Sequence, residues 1–307
     1  MIGRKDVEAA WSLIRPHVRR TPVLELPAGS LGLGSSLALK LESLQVSGTF
    51  KGRGAFQKLL ASKVPPAGII AASGGNHGVA AAYAARALGH KAEIFVPTIS
   101  SPAKVARLKD CGAIVHQIGA VYAEARAASE KRVAETGALM VQAYEDPVVF
   151  AGAGSVALEF AEQATFDTLL VAVGGGGLIA GCAAAIGEGI KIVAVETEGT
   201  PTLHEALRAG HPVDVKISGI AADALGASRI GVPNFAVAQK LVRQSVLVSD
   251  EAVAKAQRTL WNELHVVAEP AGATGFAALT SGAYRPAPGE RVATLICGAN
   301  TDPGSVA

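Results

Sequence analysis

Short apolar runs alternate along this chain with longer stretches in which apolar positions recur roughly every three or four residues. The runs Leu37–Leu41, Gly68–Ala72, Ala92–Val96, Ala113–Gln117, Leu139–Gln142, Lys191–Glu196 and Val292–Ile296 predict strands, and Arg20-Thr21-Pro22 begins an extended segment. Between them the pattern predicts helices over Asp6–Ile14, Arg53–Ala61, Gly78–Leu88, Ala103–Lys109, Tyr122–Glu135, Val149–Gln163, Leu203–Ala209, Glu251–Leu264 and Ala271–Leu279. Pro16, Gly89 and Gly137 stop three of these helices, and Ser249-Asp250 caps a fourth. Strands alternating with helices of this length predict an α/β fold with mostly parallel sheets. There is no repeat, low-complexity tract or linker, so composition leaves the domain boundaries unspecified.

Thr168–Gly187 is uncharged and about as long as a membrane span. It also holds six glycines, four of them consecutive, and each glycine in a helix interior costs about 1 kcal/mol relative to alanine. The segment therefore predicts a buried strand Thr168–Val173, a loop Gly174–Gly177 and a helix Leu178–Gly187.

With 307 residues, half of them hydrophobic, the chain is long enough for two domains and a large core. A net charge of +2 gives no reason to expect nucleic acid or an anionic membrane as partner. Cys111, Cys182 and Cys297 are widely spaced, which indicates neither a disulfide framework nor a zinc ribbon. Free thiols fit a reducing cytoplasm, and the first residues lack the apolar core of a signal peptide. The seven histidines are scattered, so no metal site is expected.

Four stretches carry candidate chemistry, and all but one lie where a predicted strand gives way to a helix, the edge at which open α/β sheets bind ligands. The first is Ser47-Gly48-Thr49-Phe50-Lys51-Gly52-Arg53-Gly54-Ala55. A lysine beside an aromatic, at the positive end of a helix, is poorly placed to stay protonated. Such an amine can form an imine with an aldehyde, although a lone lysine in a glycine-rich loop also reads as a surface residue. The second is Ser73-Gly74-Gly75-Asn76-His77-Gly78, whose small residues would bare N–H groups suited to a carboxylate. It reads equally as a tight turn with an asparagine cap, and His77 alone reads as a packed or capping residue. The third, Gly174-Gly175-Gly176-Gly177-Leu178, reads as a phosphate cradle. Gly175, Gly177 and Ala180 also fit a dinucleotide fingerprint, with Glu196 about 20 residues on as the ribose acid; that NAD-dependent oxidoreductase reading leaves Lys51 and Asn76 unexplained. The fourth is Ile296-Cys297-Gly298-Ala299-Asn300, whose thiol alone reads as an inert core cysteine.

Taken together, in type, order and spacing, these residues resemble the fold-type-II pyridoxal-phosphate enzymes, most closely the serine/threonine dehydratase (threonine ammonia-lyase) branch. The resemblance runs from Thr21-Pro22 nearly to the C-terminus. It implies two domains with twisted, mostly parallel sheets flanked by helices, as in the tryptophan synthase β chain. Residues 1–44 and 145–307 would form a large cofactor-binding domain, and residues 45–144 a small domain closing over the active site. It also implies pyridoxal 5'-phosphate as cofactor, a small amino acid as substrate and a cytoplasmic homodimer. By the same resemblance Lys51 is the Schiff-base lysine and the base for the substrate Cα proton. Phe50 packs on the pyridine ring and Asn76 bonds the ring hydroxyl. Ser73, Gly74, Gly75, Asn76 and His77 hold the substrate carboxylate, and Gly174, Gly175, Gly176, Gly177 and Leu178 hold the phosphate. Cys297 takes the place of the serine or cysteine that faces the pyridine nitrogen.

A thiol is a weak hydrogen-bonding group and cannot enforce a protonated ring, so the ring is a weaker electron sink. Rapid loss of a β-substituent then suits the site better than a long-lived carbanion. With the cofactor phosphate as the acid for the leaving hydroxide, the expected reaction is β-elimination of water from L-threonine or L-serine, giving a 2-oxo acid and ammonia. Racemases of this branch carry serine where Gly74 stands, so racemisation should be minor. Cysteine synthases carry threonine where His77 stands, which argues against sulfhydrylation. Relatives with a divalent-cation site have an acid where Thr202 stands; only Glu196 matches, so no firm metal requirement is implied. No regulatory domain is expected after Ala307. The alternatives are dehydration of another β-hydroxy amino acid, such as 3-hydroxyaspartate or phenylserine, serine racemisation, the oxidoreductase above, and a non-catalytic binding protein.

Overall fold

The computed structural model describes residues 1–305, so the last two positions of the expected larger domain lie outside it. In chain order the elements are α1 (Arg4–Ile14), β1 (Val23–Leu26), β2 (Leu37–Lys40), α2 (Lys51–Leu60), β3 (Ile69–Ala72), α3 (Asn76–Ala87), β4 (Ala92–Val96), α4 (Pro102–Asp110), β5 (Ile114–Gln117), α5 (Tyr122–Thr136) and β6 (Leu139–Met140). There follow α6 (Pro147–Gln163), β7 (Thr168–Ala172), α7 (Gly177–Ile186), β8 (Lys191–Thr197), α8 (Thr202–Ala209), α9 (Ala222–Leu225), α10 (Val232–Leu241), β9 (Val242–Val248), α11 (Asp250–Leu264), α12 (Pro270–Thr280) and β10 (Val292–Leu295).

Two sheets result. The six-stranded sheet runs β1-β2-β10-β7-β8-β9 and the four-stranded sheet β5-β4-β3-β6. Only β1 and β2 pair antiparallel; the other pairs are parallel. The smaller sheet comes from one continuous stretch, and the larger from the chain on both sides of it. Every residue of β2, β3, β7 and β10 is buried, which is why these strands read as unbroken apolar runs rather than alternating ones.

Apolar side chains cover both faces of the larger sheet. Phe150, Phe160, Ile179 and Leu203 lie in one cluster, and Leu39, Val193, Val253 and Phe276 in another. Against the smaller sheet, Ile69 and Ile94 pack with the alanines of α3 and with Phe56 and Leu59 of α2. Small residues also let α6 cross α7 at backbone contact: a Cβ on Gly154 would come within 2.9 Å of the Gly181 Cα.

A buried charge cluster anchors α2. Arg53 donates to Glu42 from Nε and Nη2, both at 2.8 Å, and to Glu159 at 3.0 Å. Lys40 pairs with Glu159, and the Thr21 hydroxyl donates to Glu42 at 2.6 Å. All four charged side chains are fully buried and their formal charges cancel. The cluster joins the edge of β2 to α2 and α6, and so fixes the segment that begins with Lys51.

Some elements differ from expectation. Helix α2 starts at Lys51 rather than Arg53, and α3 at Asn76 rather than Gly78. Glycine and asparagine read as breakers, but first-turn residues need no helical acceptor for their N–H groups. The pattern does not anticipate α10 or β9; β9 is an edge strand, exposed at Arg243 and Gln244 and buried at Val246 and Val248. The uncharged stretch folds as β7, a glycine loop and α7, and among the described residues no helix is long and apolar enough to cross a membrane.

Candidate active site

Five loops meet between the sheets, each at the carboxyl end of a parallel strand: after β2, β3, β6, β7 and β10. The first and last are tied directly. Thr49 bridges Gly298, the Phe50 N–H donates to the Cys297 carbonyl at 3.0 Å, and the Ala299 N–H donates to the Gly48 carbonyl at 3.0 Å. Gly48 has φ +75°, a conformation that favours glycine. Phe50, Lys51 and Cys297 therefore line one pocket together with Asn76 and Gly174–Leu178.

Lys51 is the first residue of α2 and is partly buried. Its Nζ donates to the Ala143 carbonyl at 3.0 Å and lies 5.1 Å from the centre of the Phe50 ring. Burial holds the amine down to about 8, against the opposing pull of Cys297 and Glu269. A substantial neutral fraction near pH 8 makes it a competent nucleophile and base.

Opposite it, the amide N–H groups of Gly174 to Leu178 have no acceptor among the described residues. They sit where β7 ends and α7 begins, so aligned donors and the helix dipole favour an anion there. Side chains on the first three of these glycines would collide with their surroundings. A Cβ on Gly174 would come 2.9 Å from the Leu225 Cα, one on Gly176 would come 2.8 Å from Ile230, and one on Gly175 would overlap the Tyr144 ring. Glu196 does not face the pocket as a ribose acid would. Its oxygens accept from the Leu203 and His204 amides, both at 2.7 Å, inside the protein.

The asparagine loop is more specialised than its sequence indicates. Asn76 Nδ2 donates to Glu269 Oε1 at 2.6 Å, and Asn76 Oδ1 accepts from Asn300 Nδ2 at 2.6 Å. One amide hydrogen of Asn76 is left for the pocket. The N–H groups of Asn76, His77 and Gly78 meet no protein acceptor among the described residues. Ser73 Oγ accepts from Gly75 N at 3.3 Å. Ser73, Gly74 and Gly75 do not line that pocket; His77 lines a smaller cavity beside it, which Phe50 and Lys51 also line. That ring is buried, and burial, aided by Lys51, holds it down to about 4. Neutral His77 donates from Nε2 to the Val141 carbonyl at 2.8 Å, which fixes its tautomer.

Glu269, which the sequence pattern does not reveal, lines the pocket beside Asn76 and Cys297. It is 5% exposed, and burial pushes its carboxyl up to about 7 against the bonds from Asn76 and the Asn300 amide. Its one local signal is position: it precedes Pro270, the first residue of α12. Tyr144 is likewise unmarked in the sequence; its placement just beyond the carboxyl end of β6 is the only hint. Cys297 is 3% exposed, burial pushes its thiol pKa well up, and Sγ donates to the Ala271 carbonyl at 3.4 Å.

Comparison with known proteins agrees with this geometry. The family described as "Pyridoxal-phosphate dependent enzyme" matches residues 14–298. The chain is 34% identical to the L-threonine ammonia-lyase of Thermotoga maritima, over 98% of this chain and 76% of that protein. Among solved structures, a threonine deaminase from the organism abbreviated T.th. superposes with a TM-score of 0.91 at 34% identity, covering 98% of this chain and 99% of that one. Maize serine racemase superposes at 0.94 with 30% identity, covering 99% and 95%. The donor set fits the family's cofactor: a partly neutral amine for its aldehyde, five free amides at a helix start for its phosphate, and a pocket between them lined by an aromatic ring and a neutral thiol.

Proposed function

This chain belongs to the pyridoxal-phosphate dependent enzyme family, and from that premise we propose that it removes water from L-threonine or L-serine and releases the 2-oxo acid and ammonia. The observation that carries the reading is the convergence of Lys51, Asn76, Gly174–Leu178 and Cys297 on one pocket. Bound there, pyridoxal phosphate supplies an aldehyde for the amino group and a ring that draws electron density from Cα.

The chain's own residues supply the rest. Gly174, Gly175, Gly176, Gly177 and Leu178 would hold the phosphate through their amides. Phe50 would lie against the ring and Asn76 would offer its remaining amide hydrogen to the ring hydroxyl. The thiol of Cys297, with its proton committed to Ala271, offers the ring nitrogen only a weak acceptor and leaves it unprotonated. The N–H groups at the start of α3, within Ser73–His77, would take the substrate carboxylate. His77 serves through its backbone, because its ring is spent on Val141. Lys51 Nζ, neutral in part near pH 8, would take the Cα proton. The β-hydroxyl would then leave as water, with a proton that the bound cofactor's phosphate would supply, and the electron pair at Cα would become the Cα–Cβ double bond.

Residues 45–144 would act as the small domain closing over residues 1–44 and 145–307. In support, the smaller sheet lies wholly within that span, and α4 reaches across the mouth through Lys104 to Asp223 and Arg107 to Asn300. We also propose a homodimer working in the cytoplasm, a compartment in which the free thiols of Cys111, Cys182 and Cys297 would persist.

Serine racemisation is the second reading, favoured by the likeness to maize serine racemase. Gly74 has no side chain to return a proton to the other face of Cα, which keeps that activity minor. The test is a panel of β-hydroxy amino acids given to the holoprotein, scored for 2-oxo acid, ammonia and D-enantiomer. Fastest release from threonine or serine is the expected result. No 2-oxo acid from any member of the panel would contradict the proposal.

A further inference from the structure

The cradle amides are aimed by groups outside the pocket. The peptide that carries the Gly175 N–H also carries the Gly174 carbonyl, and the peptide that carries the Gly176 N–H also carries the Gly175 carbonyl. In a trans peptide the two groups point in opposite directions. Glycines on both sides let such a peptide turn over at little expense, because neither sign of φ is penalised. A turned peptide would present a carbonyl oxygen to a phosphate and repel it.

Two side chains oppose that turn. Thr202 Oγ1 lies 2.7 Å from the Gly174 carbonyl and 3.1 Å from Glu196 Oε1. A hydroxyl has one proton, and the nearer acceptor is the carbonyl. Glu196 in turn fixes the start of α8, and with it Thr202, by accepting from Leu203 and His204. From the other side Asn234, fully buried, donates from Nδ2 to the Gly175 carbonyl at 2.7 Å and to the Tyr144 carbonyl at 3.0 Å. Two carbonyl partners dictate the amide orientation, and Oδ1 is left buried without a partner. The Gly231 N–H adds a second bond to the Gly175 carbonyl at 3.2 Å.

We propose that Thr202 and Asn234 are positioning residues that hold the Gly174 and Gly175 carbonyls away from the pocket, and thereby give the loop its preference for a phosphate-bearing ligand over the same ligand without phosphate. The proposal rests on the reading of Gly174–Leu178 as the phosphate cradle. Asn234 also ties that loop to the segment whose Ala143 carbonyl accepts from Lys51, so the cradle and the amine keep a fixed separation.

The test titrates apoprotein with pyridoxal phosphate and with pyridoxal, following visible absorbance. Thr202→Val and Asn234→Leu keep size and remove the donor. Each should weaken pyridoxal phosphate about tenfold or more, the scale of a lost hydrogen bond to a constrained group, and should change pyridoxal by less than about threefold. Thr202→Ser keeps the hydroxyl and should retain parental affinity for both. Should Asn234→Leu fail to fold, as judged by circular dichroism and melting, Thr202→Val against Thr202→Ser decides the matter. Equal losses for both ligands, or no loss in a folded variant, would overturn the proposal. A parent protein that binds pyridoxal as tightly as its phosphate would overturn the cradle reading itself, a distinct failure visible before any variant is made.

Discussion

Asn76 donates its side-chain amide to the buried carboxyl of Glu269 at 2.6 Å. A loop of the smaller sheet and the start of α12 thus share one bond at the wall of the pocket. Burial favours the neutral form of Glu269, and a neutral carboxyl keeps an acceptor oxygen for Asn76 while adding a proton of its own.

That shift predicts a pH effect on stability. The folded carboxyl titrates at about 7 rather than 4.5, so the folded chain holds a proton that the unfolded chain releases. The resulting stabilisation is fully present below about 4.5 and is lost as pH rises through about 7. At about 1.4 kcal/mol per pH unit the loss is roughly 3 kcal/mol. Glu196 is also raised to about 7 by burial, so the contrast that isolates Glu269 is with Glu269→Gln. Apoprotein melting from pH 5 to 8 should fall more steeply for the parent. Parallel curves would refute the assignment.

The lowered pKa of Lys51 predicts the rate at which apoprotein takes up pyridoxal phosphate. Only the neutral amine attacks an aldehyde, so stopped-flow absorbance should show the rate rising about tenfold per pH unit below about 8 and levelling above it. A rate still climbing about tenfold per unit between pH 8 and 9 would mean an ordinary exposed lysine.

Gly74 has room for a side chain. A Cβ there would lie 3.5 Å from Ser100 Oγ and Val96 Cγ1, ordinary contact, with no positive φ to strain it. Gly74→Ser should fold with an unchanged melting temperature and should raise racemisation of serine about tenfold or more, a modest acid–base contribution. Chiral chromatography of the product measures it, and an unchanged D-serine yield would sink the explanation.

Arg53 sits between two buried carboxylates. Arg53→Met leaves Glu42 buried without a cation, since Lys40 still pairs with Glu159, and should cost about 3–5 kcal/mol in urea unfolding. Arg53→Lys keeps charge without the fork and should fall between. A loss under about 1 kcal/mol for the methionine variant, the range of exposed pairs, would show that the cluster does not anchor α2.

Much of this is readable from local pattern. Apolar runs, glycine loops and alanine-rich helices place β3, β7 and β10 and the turns that follow them, because those signals lie within a few residues. Lys51 and Asn76 stand out as chemistry, though the pattern places both just outside helices they in fact begin. Glu269, Asn234 and Thr202 do not stand out as site residues. Apart from Glu196 beside Thr202, their partners are backbone or side-chain groups distant in the sequence, and a buried polar residue leaves no periodic trace of the acceptor it meets. The dinucleotide alternative fails for the same reason: Glu196 has the right spacing, but its oxygens turn inward to the start of α8.

Everything proposed for the pocket requires that the cofactor be held on Lys51. Reduction of the holoprotein with borohydride, followed by proteolysis and mass mapping, locates that attachment. The expected result is the added mass of reduced pyridoxal phosphate on the peptide that contains Lys51, with loss of the visible band. The same mass on another lysine, or on none, would refute it.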